Sequence, residues 1–191
     1  MKTEKIVAVI FLVGLLFKLM LWPFGGVLVV ISLGGIGMMY FPGAFYFFSD
    51  NSISRQNIAL SIISGLFLAF VVLGILFKLQ YWPGSHLYLL IGTYTSPVLL
   101  IITYILKSTS TEELKRYYNS MLLRIGVLTL LSLLFFLTPT STILKIQYRH
   151  DPELARLKIL HYSDHANMEY KKQHDDYIRK RDSLRTIGEI K

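Results

Sequence analysis

Gly14-Leu-Leu-Phe-Lys-Leu-Met-Leu-Trp-Pro23 and Gly74-Ile-Leu-Phe-Lys-Leu-Gln-Tyr-Trp-Pro83 are nearly one stretch written twice. Lined up, Phe17 falls on Phe77, Lys18 on Lys78, Leu19 on Leu79, Trp22 on Trp82 and Pro23 on Pro83. Each closes an apolar run and opens onto another, so each reads as the turn of a transmembrane hairpin. Lys and Trp four residues apart share a helix face, with the ammonium snorkelling toward headgroups and the indole in the interface. Proline then breaks the helix. The glycine that follows, Gly25 after Phe24 or Gly84 directly, tolerates backbone angles other residues avoid. A fainter third copy, Ile143-Leu-Lys-Ile-Gln-Tyr148, matches Leu76-Phe-Lys-Leu-Gln-Tyr81 but runs into Arg149-His150-Asp151-Pro152. The chain thus reads as a repeated unit, a membrane helix ending in aromatic or aliphatic, Lys, aliphatic, any residue, aromatic.

Phe-Lys-aliphatic-x-aromatic-Trp-Pro-Gly between two membrane helices resembles the N-terminal hairpin of GldL, the inner-membrane subunit of the gliding-motility and type 9 secretion motor. The resemblance covers roughly the first three-quarters of the chain, with the hairpin present twice plus a third half. It implies a bacterial inner-membrane protein with a cytoplasmic N-terminus and Trp-Pro turns facing outward. In GldL a glutamate in the second helix of the hairpin is thought to serve the proton pathway. Here Met38 and Ser96 occupy the corresponding places. The resemblance therefore implies a scaffold or accessory subunit lacking the family's intramembrane carboxylate.

Composition agrees with a membrane protein. Of 191 residues, 53% are hydrophobic and only 17% charged, so the bilayer replaces a large core as the apolar phase. There is no cysteine, which excludes disulfides, thiol catalysis and cysteine metal sites. The net charge of +8 is not a nucleic-acid footprint, because ten basic and four acidic residues up to Lys145 place most of the excess around the apolar segments.

In chain order, a first helix is predicted from about Glu4 to Trp22. Its basic leader and apolar run resemble a signal peptide, but Phe17, Lys18 and Leu19 stand where a small-residue cleavage site belongs. The second span, Gly26 to Phe48, contains Gly34-Gly35-x-Gly37, a spacing that permits close helix packing, and Pro42 before the aromatic cluster Phe45–Phe48. Ile58 to Leu79 and Leu87 to Leu106 form the second hairpin. A short interfacial helix is expected within 107–119, then a fifth span over 121–144 with Arg124 snorkelling near its start. The membrane domain is expected over 1–148, with hairpins at about 4–48 and 58–106. Residues 149–191 are expected to form a charged helical tail, started by Asp151 as cap and Pro152 at the first helical position.

The fold class is therefore all-α, five membrane helices and a soluble helix. The hairpin motif residues are Phe17, Lys18, Trp22, Pro23, Phe77, Lys78, Trp82, Pro83 and Gly84. Thr93, Tyr94, Thr95 and Ser96 form the most polar patch in any span. They either line a path or bond their own helix backbone. His161, His165 and Glu169 share one face of a continuous helix, a spacing that suits zinc, although a solvated face is the plainer reading. No catalytic pair and no cofactor motif is evident. Two functions remain: a non-enzymatic scaffold binding lipid and other membrane proteins or itself, and a small-solute or ion transporter using the Thr93–Ser96 patch. No Asp or Glu is expected inside a span, which argues against proton-driven work. Basic residues tie at six on each side, so only the resemblance places the tail in the periplasm.

Overall fold

The computed structural model describes residues 2–41, 43, 56–164 and 167–186. Among these the chain is all-helical, as predicted. Eight helices follow one another: α1 (Lys2–Leu19), α2 (Gly25–Tyr40), α3 (Ile58–Gln80), α4 (Ser85–Ser108), α5 (Glu112–Leu137), α6 (Thr140–Gln147), α7 (Pro152–Ser163) and α8 (Met168–Thr186). They divide into two compact units, Met1–Thr138 and Pro139–Lys191. The division falls at Pro139, ahead of the change in composition at residue 149.

Among the described residues three helices, fewer than the five expected, are long and apolar enough to cross a membrane: α3, α4 and α5, of 23, 24 and 26 residues. At 1.5 Å per residue they measure about 35–39 Å. The first predicted span falls short because the 18 residues of α1 include Lys2, Glu4, Lys5 and Lys18. The second falls short in length, since the 16 residues of α2 reach only about 24 Å against a hydrocarbon core of about 30 Å. Pro42 and the Phe45–Phe48 cluster lie outside the described residues.

The fifth helix corrects a boundary. The expected interfacial helix is continuous with the span, so α5 begins at Glu112 and ends at Leu137 instead of running over 121–144. It stops because Pro139 offers no backbone N–H and holds Thr138 extended at φ −80°, ψ 116°. The third copy of the motif, at the end of α6, does not build the same turn: Tyr148 sits at φ −103° where Tyr81 is left-handed.

Within the first unit, α1 pairs with α2, α3 with α4, and α3 also packs on α2 and α5. The centre is therefore α3, whose apolar window is 61% buried against 28% for α4 and 17% for α5. Its Leu68, Val71, Val72, Ile75 and Leu79 are fully enclosed. Asn57 caps it, the side chain accepting from Leu60 N at 3.0 Å. Of the three expected glycines, Gly37 does mark a close contact, a Cβ there lying 3.3 Å from Leu73 Cδ2, whereas one on Gly34 or Gly35 would meet nothing. Tighter approaches fall elsewhere: a Cβ on Gly14 would lie 2.7 Å from Leu28 Cβ and one on Gly74 2.8 Å from Leu89 N.

The second unit holds α6, α7 and α8, and the stretch expected as one helical tail from residue 149 is two helices, α7 and α8. Asp151 does cap α7, accepting from Leu154 N at 3.0 Å, with Pro152 at its first position. The helix then ends at Ser163, and α8 packs back on it. Tyr177 Oη donates to Asp151 Oδ1 at 2.8 Å, and Arg181 pairs with Asp151 Oδ2 at 3.6 Å. That hydrogen bond to a carboxylate raises the Tyr177 phenol above its usual value.

Candidate functional site

The two Trp-Pro turns are built alike. In each, the backbone N–H of Trp22 or Trp82 donates to the carbonyl of Phe17 or Phe77 at 2.8 Å. The residue before the tryptophan donates to the lysine carbonyl, Leu21 to Lys18 at 3.2 Å and Tyr81 to Lys78 at 3.3 Å. This paired closure needs a left-handed residue, and Leu21 and Tyr81 supply it at φ 56° and 59°. A second left-handed position follows the proline. Gly84 fills it at φ 87° in one turn, but in the other it is Phe24 at φ 66°, not Gly25. Gly25 serves space instead, because a Cβ there would lie 2.4 Å from Lys18 N. Phe17 and Phe77 meet their tryptophans edge-on at 5.1 and 5.3 Å. Both indoles stay exposed at 52% and 43%, as interface residues do.

The lysines do not snorkel outward. Lys18 Nζ donates to Gln80 Oε1 at 2.9 Å and sits 5.2 Å over the Tyr81 ring. Gln80 Nε2 in turn donates to Gly26 O at 2.8 Å, so one glutamine ties the two turns together. Lys78 is buried, its ammonium donating to the carbonyl of Phe135 on α5. The reason is local. That carbonyl would take its helical hydrogen bond from the N–H of residue 139, which is proline. Lys78 replaces the missing donor where water is scarce and an orphan carbonyl is expensive.

Away from this lysine layer lies an ion pair not foreseen from the sequence. Arg124 Nη2 donates to Glu4 Oε2 at 2.9 Å, across 120 residues of sequence, and Tyr40 Oη donates to Glu4 Oε1 at 3.3 Å. The side chains are 12% and 18% exposed. Depth follows from helix rise. Arg124 is eleven residues before Phe135 and Glu4 fourteen before Lys18, so the pair lies about 17–21 Å from the lysine layer. Further on, Tyr117 Oη and Ser61 Oγ share a hydrogen bond between α5 and α3. Ser61 is seventeen residues from Lys78, about 26 Å along α3. The pair therefore sits between the lysine layer and the Tyr117–Ser61 bond along the bundle. Arg124 is mid-helix because α5 starts nine residues earlier than predicted, and its partner Glu4 lies in the first turn of α1.

The pair closes one end of a cleft of about 310 Å³ whose other end is lined by Leu131 and Phe135. Between them the walls are apolar, with Phe11, Leu33 and Val72 contributed by three helices. A largely buried ion pair facing a cleft among apolar helices is a candidate functional feature.

The polar patch of α4 is placed differently. Thr95 Oγ1 bonds its own helix at Ile91 O, 2.7 Å away. Thr93 Oγ1 and Ser132 Oγ hydrogen-bond between α4 and α5. Ser96 is buried, while Tyr94 is 66% exposed and meets Phe136 edge-on. His86 is exposed and lies against Phe136 at 5.5 Å. The zinc-like triple is not on one helix: His161 belongs to α7 and Glu169 to α8, with Asp164 leaving helical geometry between them, and His165 lies outside the described residues. His161 faces His174 at 6.0 Å instead.

Among the described residues, the fold and site define an all-helical protein with three helices able to cross a membrane and an apolar cleft closed at one end by an ion pair. No protein-family model matches the chain, and no curated protein or solved structure does either.

Proposed function

We propose that the chain is a non-enzymatic integral membrane subunit that packs against other membrane helices, a scaffold or accessory component of a complex. The sequence resemblance to the GldL hairpin makes a gliding-motility or secretion assembly of the bacterial inner membrane the first candidate. On this reading α1 and α2 are also embedded, giving five membrane helices built as two hairpins plus one, and the tail is periplasmic. Lipid and other membrane proteins, or further copies of the chain, are the partners.

One observation carries the reading: the polar groups among the apolar helices are largely spent on joining helices. Lys78 reaches α5, Lys18 and Gln80 join the two turns, Thr93 meets Ser132, and Glu4 meets Arg124. Such groups hold an assembly surface rigid. Purification in mild detergent with mass spectrometry of retained proteins tests it. Stoichiometric membrane partners or a defined oligomer are expected; a lone monomer counts against a scaffold.

A second reading, ion transport, is favoured by the Glu4–Arg124 pair facing a cleft among apolar helices. It places the path at the Glu4–Arg124 cleft and not at Thr93–Ser96. Proton flux into liposomes that disappears in Glu4→Gln would establish it over the first.

A further inference from the structure

We propose that the second unit holds an anionic lipid, phosphate on its basic rim and acyl chain on its apolar floor. Between α6 and α7 lies a groove of about 510 Å³. Its floor is apolar, with Tyr148, Ala155 and Ile159 among the lining residues. Three cations, Lys145, Arg149 and Arg156, also line it, and a fourth, Lys158, lies 5.0 Å over the Tyr148 ring.

Of the nearby carboxylates, Asp151 caps α7 and takes Tyr177 and Arg181, whereas Glu153 pairs with Arg156 at 3.3 Å and partly offsets that rim cation, leaving Lys145, Arg149 and Lys158 to carry the positive charge. Among the described residues no carboxylate lines the groove itself. Cations around an apolar trough match one class of ligand, an amphiphile with an anionic head. An acidic peptide would satisfy the charges but leave the trough uncovered. The unit also follows α5 directly in the chain, a helix able to cross a membrane, so bilayer lipid is the anion it meets at the highest local concentration. This site is independent of the scaffold reading and of the Glu4–Arg124 cleft.

The test uses the full chain in nanodiscs of phosphatidylcholine, with and without phosphatidylglycerol, read by hydrogen exchange. Phosphatidylglycerol is expected to slow exchange in peptides covering 145–160 by about tenfold or more, and inorganic phosphate in phosphatidylcholine discs is expected to leave them unchanged. The triple variant Lys145→Gln, Arg149→Gln, Arg156→Gln should abolish the protection. So should Ile159→Asp, which keeps the cations and puts a negative charge in the trough. Equal protection in both lipids, or protection that survives both variants, overturns the proposal. Protection by free phosphate would reassign the groove to a soluble anion, and stronger protection by a polyglutamate peptide would reassign it to a protein partner.

Discussion

Removing one member of the Glu4–Arg124 pair should destabilise the protein far more than removing both. The pair lies about 17–21 Å from the lysine layer, and its side chains are only 12% and 18% exposed. Arg124→Met removes the guanidinium from the Glu4 carboxylate and keeps the 3.3 Å contact from Tyr40. Breaking a buried pair from one side costs about 3–5 kcal/mol, and the residual tyrosine bond argues for the lower end, about 3 kcal/mol. That is a factor of about a hundred in the folded-to-unfolded ratio. Glu4→Gln still offers Arg124 an amide oxygen, so about 2 kcal/mol is expected there. The double variant Glu4→Gln, Arg124→Met should recover most of the loss, because neutral groups at that depth need no partner charge. Equilibrium unfolding in mixed micelles by added dodecyl sulfate, followed by circular dichroism, measures each term. If both single variants fall within about 0.5 kcal/mol of wild type and the effects add, the pair is not buried at that depth and the geometry is misread.

Lys78→Met should cost about 1–3 kcal/mol in the same assay, and much less in a Pro139→Ala background, where residue 139 regains the N–H that Phe135 lacks; an unchanged cost in both backgrounds refutes the replacement. Leu21→Gly should stabilise by about 1 kcal/mol by relieving a left-handed leucine, whereas Tyr81→Gly should gain less because it also removes the ring under Lys18. Gly74→Leu should disrupt the second hairpin and lower the melting temperature sharply, while Gly34→Ala should be neutral or better in the same thermal scan. Single cysteines at Ser108 and Ser163, in a chain with none of its own, should react with an impermeant thiol reagent from opposite faces of the membrane; labelling of both from one side means that α5 does not cross.

What could be read from the residues alone was local. The Trp-Pro turns were legible because Lys, Trp and Pro each act within one helical turn, and Asp151-Pro152 announced α7 for the same reason. The left-handed Leu21 and Phe24 were not, since nothing in a leucine or phenylalanine marks the conformation; the surrounding hydrogen bonds impose it. Of the glycine triplet of α2 only Gly37 packs closely, on Leu73, and tighter approaches fall at Gly14 and Gly74, aligned positions of the two copies of the motif. The Glu4–Arg124 pair joins residues 120 apart and had no pattern to betray it. Its one available signal was length: extending α5 back to the capping-like Thr111 puts Arg124 mid-helix and demands a partner. Pro139, four residues after Phe135, was likewise a readable hint that a donor would be needed there.

The inequality of the helices has a consequence of its own. On the five-helix reading, α1 and α2 are about 24–27 Å long and stand beside three helices of about 35–39 Å, so the apolar belt around the protein is stepped. Lipid on the short flank must thin to meet it, at a fraction of a kcal/mol per Å of difference. Two proteins that set their short flanks together share one thinned patch instead of maintaining two, an attraction that requires no complementary side chains. Bilayer thickness thereby becomes a control on association: thick membranes gather such proteins, and thin ones let them disperse.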